Sequence, residues 1–136
     1  MNENILNLYW NRRSDEFLIQ RYKKLYAVGK FIRLPAAAML ENGLQLILHY
    51  LRETSFSRED EAPELNTFSK KEEKNFYKEH HHVFVMLSSN TDIAIGPMQK
   101  MGAGFVAPKD DIVRISISCT NEEFVIALRS AFERAD

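Results

Sequence analysis

Apolar residues recur along this chain in two rhythms, and the switch between them marks the elements. Residues 40–51 carry Leu40, Leu44, Ile47, Leu48 and Leu51 at steps of three and four, the stripe of an amphipathic helix. Gly43 inside it costs on the order of 1 kcal/mol against alanine, so tertiary burial has to hold this helix. Residues 124–135 repeat the rhythm, with Phe124, Val125, Leu128, Ala131, Phe132 and Ala135 along one side. Ahead of each helix the period drops to two. Ile32 and Leu34 flank Arg33 before Pro35, and Val113, Ile115, Ile117 and Cys119 alternate with Arg114, Ser116 and Ser118. A strand with this alternation turns its apolar members to one face.

These two passages read as copies of one unit. Arg114 follows Arg33 by 81 residues, and at that offset Ile32 falls on Val113, Leu34 on Ile115, Glu41 on Glu122, Leu44 on Val125 and Ile47 on Leu128. Two copies are too few for a solenoid, so the repetition predicts a strand–helix unit used twice in one sheet. Ile32, Leu34, Val113 and Ile115 then point inward, while Arg33 and Arg114 point away from the core.

The rest of the chain adds shorter elements. Residues 1–13 show no period, and their structure stays open. Residues 16–22 read as a strand rich in aromatic and β-branched types, with a helix continuing to Ala27 as the alternative. Gly29 punctuates, and residues 30–34 form the next strand. Residues 54–68 are irregular, and a loop that long inside a domain is functional or mobile. Ser69 and Glu72 have capping-box spacing and open a short helix to Glu79. Residues 83–87 are unbrokenly apolar, as in a central strand buried on both faces. The turn chemistry of residues 89–92 joins it to residues 93–95, a hairpin closed by Gly96-Pro97. Residues 98–110 read as a loop with a short extended piece at Phe105-Val106. Thr120 and Glu123 make a second capping box before the last helix. The sum is an α+β fold with a mainly antiparallel sheet and helices packed on it, built from a duplicated strand–helix unit in a single domain over residues 1–136.

Composition narrows the setting more than the chemistry. The single cysteine, Cys119, excludes an intramolecular disulfide and fits a reducing compartment. No apolar run approaches the roughly 20 residues that span a bilayer. The N-terminus lacks the basic-then-apolar order of a signal peptide. A cytoplasmic chain with no membrane partner is expected. The net charge of −1 hides an uneven distribution. Residues 12–33 hold seven basic side chains (Arg12, Arg13, Arg21, Lys23, Lys24, Lys30 and Arg33) against Asp15 and Glu16. Residues 59–64 hold Glu59, Asp60, Glu61 and Glu64 with no base. Runs of this kind are solvated faces or the electrostatic footprint of a partner.

No constellation of catalytic residues emerges. His80, His81 and His82 alternate across a strand, so His80 and His82 alone could share a metal, with His49 as a distant third ligand; exposed histidines at a strand start are the plainer expectation. Cys119 ends an apolar strand face and reads as a packed thiol. Gly102-Ala103-Gly104 lacks the strand and helix that a phosphate-cradling loop needs. Asp110-Asp111 sits in a Pro-containing turn and reads as solvated. Residues 111–116 with Glu122-Glu123 also look like the end of aminotransferases that use pyridoxal phosphate, but the chain has no room for the cofactor domain. No cofactor and no metal are expected.

Over most of residues 15–135 the chain resembles the immunity proteins of bacterial contact-dependent growth inhibition systems. Four stretches carry the resemblance in order: Asp15-Glu16-Phe17-Leu18-Ile19-Gln20 with Leu25-Tyr26-Ala27-Val28-Gly29; Ile32-Arg33-Leu34-Pro35 running into a helix; Phe76-Tyr77-Lys78 leading to the strand at residues 83–87 and to Ile93-Ala94-Ile95-Gly96-Pro97; and residues 113–116 with Glu122-Glu123 and Ala127-Leu128-Arg129-Ser130-Ala131-Phe132. The chain departs from that pattern at residues 38–42, where Ala-Met-Leu-Glu-Asn replaces an acidic turn. The resemblance implies a non-enzymatic inhibitor that pairs as a heterodimer with the cognate C-terminal toxin domain of a surface effector. Such toxins are commonly nucleases, often acting on transfer RNA, and no direct nucleic-acid contact by the inhibitor is expected. An acidic surface would complement a basic substrate groove. That assigns toxin contact to Glu59, Asp60, Glu61 and Glu64, with the basic run 12–30 meeting acidic toxin elements as the alternative. The rival functions are a fragment of a pyridoxal-phosphate enzyme and a small nucleic-acid-binding regulator.

Overall fold

Two three-stranded meanders, each followed by a helix, meet side by side in the middle of one sheet. The computed structural model describes residues 5–23, 26–52, 63–101, 104–106 and 108–135. The first half runs β1 (Ile5–Asn11), β2 (Glu16–Lys23), β3 (Tyr26–Pro35) and α1 (Ala36–Arg52). A 3-10 turn (Glu64–Thr67) and α2 (Lys70–Glu79) lead to the second half. That half comprises β4 (His80–Leu87), β5 (Asp92–Pro97), an inserted hairpin of β6 (Gln99–Met101) and β7 (Gly104–Val106), then β8 (Val113–Ser116) and α3 (Asn121–Arg134). The six-stranded antiparallel sheet has the order β3-β2-β1-β4-β5-β8. The halves join where β1 pairs with β4, from Ile5 opposite Met86 to Asn11 opposite His80. The repeated strands of the sequence, β3 and β8, are the two edges. The repeat is therefore larger than its visible part: three strands and a helix in each half.

The helices α1 and α3 cover one face. Leu6 and Leu8 of β1, Val83 and Val85 of β4, and Ile93 and Ile95 of β5 pack there against Leu44, Ile47 and Leu51 of α1 and Phe124, Leu128 and Phe132 of α3. Each such side chain contributes roughly 1.5–3 kcal/mol on burial. On the other face α2 covers a smaller cluster of Tyr9, Leu18, Phe31 and Phe76. β4 is central as its apolar run predicts, though Phe84 and Met86 on the α2 side are only half-buried. Both capping boxes form, Ser69 with Glu72 and Thr120 with Glu123.

Three local features differ from the periodic reading. Gly29 does not end a strand. It lies inside β3 with φ 73°, a left-handed conformation that suits glycine, beside a bulge at which the partners of β2 jump from Ile32 to Val28. The span at 98–110 contains the β6–β7 hairpin as well as loop. The stripe of α1 also shifts at its start: Leu40 is 53% exposed, whereas Met39 is 1% exposed. The cause is a break at Asn42, whose φ of −141° and ψ of 25° are non-helical.

Asn121, the first residue of α3, fills that break. Its Oδ1 accepts from the Leu44 N–H at 2.7 Å, and its Nδ2 donates to the Leu40 carbonyl at 2.8 Å. These are the two groups that an unbroken helix would bond to each other. One amide thus stands in for the missing helical bond and ties the helices of the two halves together. Gly43 keeps the junction tight, because a Cβ there would come within 2.7 Å of the Met39 sulfur. Asn121→Ala should lower stability by about 1 kcal/mol, since it orphans the part-buried Leu44 N–H and leaves the Leu40 carbonyl to solvent. Urea unfolding would measure it, and a change below about 0.5 kcal/mol would show that the break holds without the amide.

Candidate interaction surface

One end of the sheet gathers Arg12, Arg13, Asp15, Glu16, Arg33 and Glu64 from the charged runs of the sequence. Asn11 lies opposite both Glu16 and His80, and Glu16 lies opposite Pro35, so four strands end in one row. The β1–β2 turn projects from this row and is held by its own side chains. Asn11 Oδ1 accepts from the N–H groups of Arg13 (2.9 Å) and Ser14 (3.2 Å). Asp15 adopts the left-handed conformation at φ 53°, and its carboxylate accepts from Trp10 Nε1 at 3.0 Å. The Arg12 guanidinium lies over the Trp10 ring, 5.4 Å from its centroid.

Facing this turn, the last part of α2 presents Asn75, Lys78 and Glu79. A cleft of about 450 Å³ opens between the two, with Asn11, Arg12, Arg13 and His81 on its sheet side. Arg12, Arg13 and Lys78 oppose the single carboxylate of Glu79. Burial, and then the neighbouring Arg12, push the His81 pKa down and favour its neutral form. The cleft is therefore a local positive field on a chain of nearly zero net charge.

The predicted acidic contact residues divide. Glu59, Asp60 and Glu61 lie outside the described residues. Glu64 heads the 3-10 turn, where Oε1 accepts from the Phe31 N–H at 3.0 Å and Oε2 accepts from Arg33 at 3.0 Å. Glu16 approaches the same guanidinium at 3.8 Å. Arg33 faces away from the core, as its alternation predicts, and pins the end of the acidic stretch to the edge strand β3.

The histidine run departs from the expected exposed trio. His82 is 5% exposed and stacks on Tyr9 with centroids 4.4 Å apart. Burial drops its pKa to about 3. His80 stacks on Phe76 at 4.1 Å, with Nδ1 2.9 Å from the Phe76 carbonyl. His81 points to the opposite face, toward Trp10. His49 sits on α1, across the sheet from His82. Among the described residues no group of three His, Cys, Asp or Glu side chains is placed to hold a metal. Cys119 packs against the main core, and burial raises its thiol pKa, as expected of a packed cysteine. Asp111 is paired with Arg134 at 3.7 Å rather than simply solvated. Among the described residues no helix is long and apolar enough to cross a membrane.

Neither a family model nor a curated protein sequence matches this chain. Solved structures do match its fold. It is similar to a protein of unknown function from Neisseria meningitidis, with a TM-score of 0.63 and 18% identity over 98% of this chain and 96% of that one. It is also similar to a chain of the CdiA-CT/CdiI toxin and immunity complex from Yersinia pseudotuberculosis, with a TM-score of 0.58 and 12% identity over 100% of this chain and 99% of that one. At such identities the likeness is one of fold.

The buried His82 gives the fold a pH dependence of known sign. Its folded pKa lies below the unfolded value near 6.5, so the unfolded chain binds more protons between the two. Stability is full above about pH 6.5 and falls as pH drops from there toward about 3, with about 2 kcal/mol lost by pH 5. The lowered pKa values of His80 and His81 act in the same direction. His82→Gln should flatten most of this slope in urea titrations at pH 7 and pH 5. An unchanged slope would place the titrating group elsewhere.

Proposed function

We propose that this chain is an immunity protein, which neutralises the C-terminal toxin domain of a contact-dependent growth inhibition effector by binding it one to one in the cytoplasm. The observation that carries this reading is the agreement of fold, over nearly the whole of both chains, with a chain of a toxin and immunity complex. The four stretches that resemble immunity proteins support the inhibitor side of that pair over the toxin side. The reading is non-enzymatic and needs no cofactor. A rigid sheet with charged groups gathered at one end suits stoichiometric capture, where electrostatic complementarity speeds encounter and fixes orientation.

In this proposal the acidic stretch of Glu59, Asp60 and Glu61 meets a basic groove of the toxin, and a nuclease acting on transfer RNA is the toxin class that fits. Glu64 contributes by anchoring the end of that stretch to Arg33 and Phe31. Expressed alone, the chain should be harmless to cells. Co-expressed with the toxin domain encoded immediately upstream, it should restore growth and co-purify with that domain in a one-to-one complex. Toxicity of the chain alone, or no complex at micromolar concentrations, would overturn the proposal.

A further inference from the structure

We infer that the cleft between the β1–β2 turn and α2 receives a carboxylate-rich segment of the protein partner. The inference rests on the toxin-neutralising reading and adds to it the site and the chemistry of the contact. Three observations converge on this cleft. Its cations are presented, not scattered: Asn11 caps the turn that carries Arg12 and Arg13, the Trp10–Asp15 bond closes that turn, and Lys78 faces it from α2. Arg13 and Lys78 are exposed and both line the cleft. His81 lines the sheet side of the cleft and brings no negative charge to it.

Charge around the cleft selects a protein segment over a nucleic acid. A phosphate backbone needs cations along a track, because each neutralised phosphate adds its own increment of affinity. Here the positive cluster is short and bounded: Glu79 lines the cleft itself, and Glu16 and Glu64 stand at the β3 side of the same strand row. Two strand spacings, about 10 Å, separate Asn11 from Pro35 in that row. A polyanion extending past the cleft meets repulsion within that distance. A loop carrying two or three carboxylates does not. Arginine forks match carboxylates in two-bond geometry, which gives such a loop a fixed orientation. A groove that binds phosphates is itself cationic and is repelled here, so the segment gripped by this cleft lies outside any such groove on the partner.

The test uses the full chain and the upstream toxin domain, with association followed by surface plasmon resonance at low and at physiological salt. Arg13→Glu with Lys78→Gln removes the cleft's field. Arg114→Glu on the edge strand β8 with Arg129→Gln on α3 changes net charge equally at residues that do not line the cleft, and serves as the control. Circular dichroism and the thermal midpoint confirm that both variants fold. The cleft variant should bind about 100-fold more weakly, chiefly through slower association and with a shallower salt dependence, while the control stays within about threefold of the parent. If the parent chain itself fails to bind the domain, the functional reading falls and the cleft assignment with it. If the parent binds and the cleft variant matches the control, the cleft assignment alone is overturned. A uridine oligonucleotide that binds the parent and not the cleft variant, with toxin affinity unchanged, overturns it in favour of phosphate.

Discussion

The pairing of β1 with β4 is the constraint from which the rest of the structure follows. Each half of the molecule is a meander with one helix, and by itself each would leave an inner strand edge unpaired and half an apolar layer uncovered. Joining the edges removes both defects. The register is fixed by burial: Leu6 and Leu8 meet Val85 and Val83 under α1 and α3, while Tyr9 meets His82 beneath α2. A slip of one residue would turn Tyr9 and Asn7 into the apolar layer and Leu6 and Leu8 out of it. The same register sets Asn11 across from His80, and so brings the β1–β2 turn against the end of α2. The cleft is a consequence of the seam.

Elements with a one-sided environment were legible in the sequence, and those with a two-sided one were not. α3, β8 and α1 from Leu44 onward have one packed face and one wet face, so period and polarity agree. The capping boxes are local chemistry and read directly. β1 escaped because neither of its faces is wet. Leu6, Leu8 and Trp10 pack toward the helices while Asn7 and Tyr9 pack toward α2, and no polarity rhythm survives. For the same reason the repeat was visible only at its edge strands and helices. The inner strands carry different solutions to being buried twice, with Tyr9 and His82 stacked across the seam where simple aliphatic pairs would suffice.

Features set by distant partners were also out of reach. The break at Asn42 moves burial from Leu40 to Met39, yet what makes it tolerable is an amide from the other half of the chain. His82 reads as an exposed strand residue until Tyr9 and α2 close over it. The cleft could be foreseen only in part: Arg12 and Arg13 stand out as charge, but Lys78 is one lysine among several on α2, and only the fold sets it opposite the turn. Of the acidic residues picked as contacts, Glu64 is the one the structure places, and its carboxylate is engaged with β3.

The two layers of this molecule differ in how much apolar surface holds them. α1 buries Met39, Leu44, Ile47, Leu48 and Leu51 along its length, whereas α2 buries Phe76 alone. At roughly 1.5–3 kcal/mol per large side chain, α2 is the lightly attached element. Its hold comes from Phe76 stacked on Phe31 and His80 and edge-on to Tyr9, with Leu65 and Phe68 alongside. One wall of the cleft is thus a turn locked by its own hydrogen bonds, and the other is a helix attached through buried Phe76 and half-buried Tyr77. In this chain pattern, caps and seam agree on one fold. Arg13 on the turn and Lys78 on the outer side of α2 are exposed and belong to neither cap nor seam, so their charge can change at little cost to the fold.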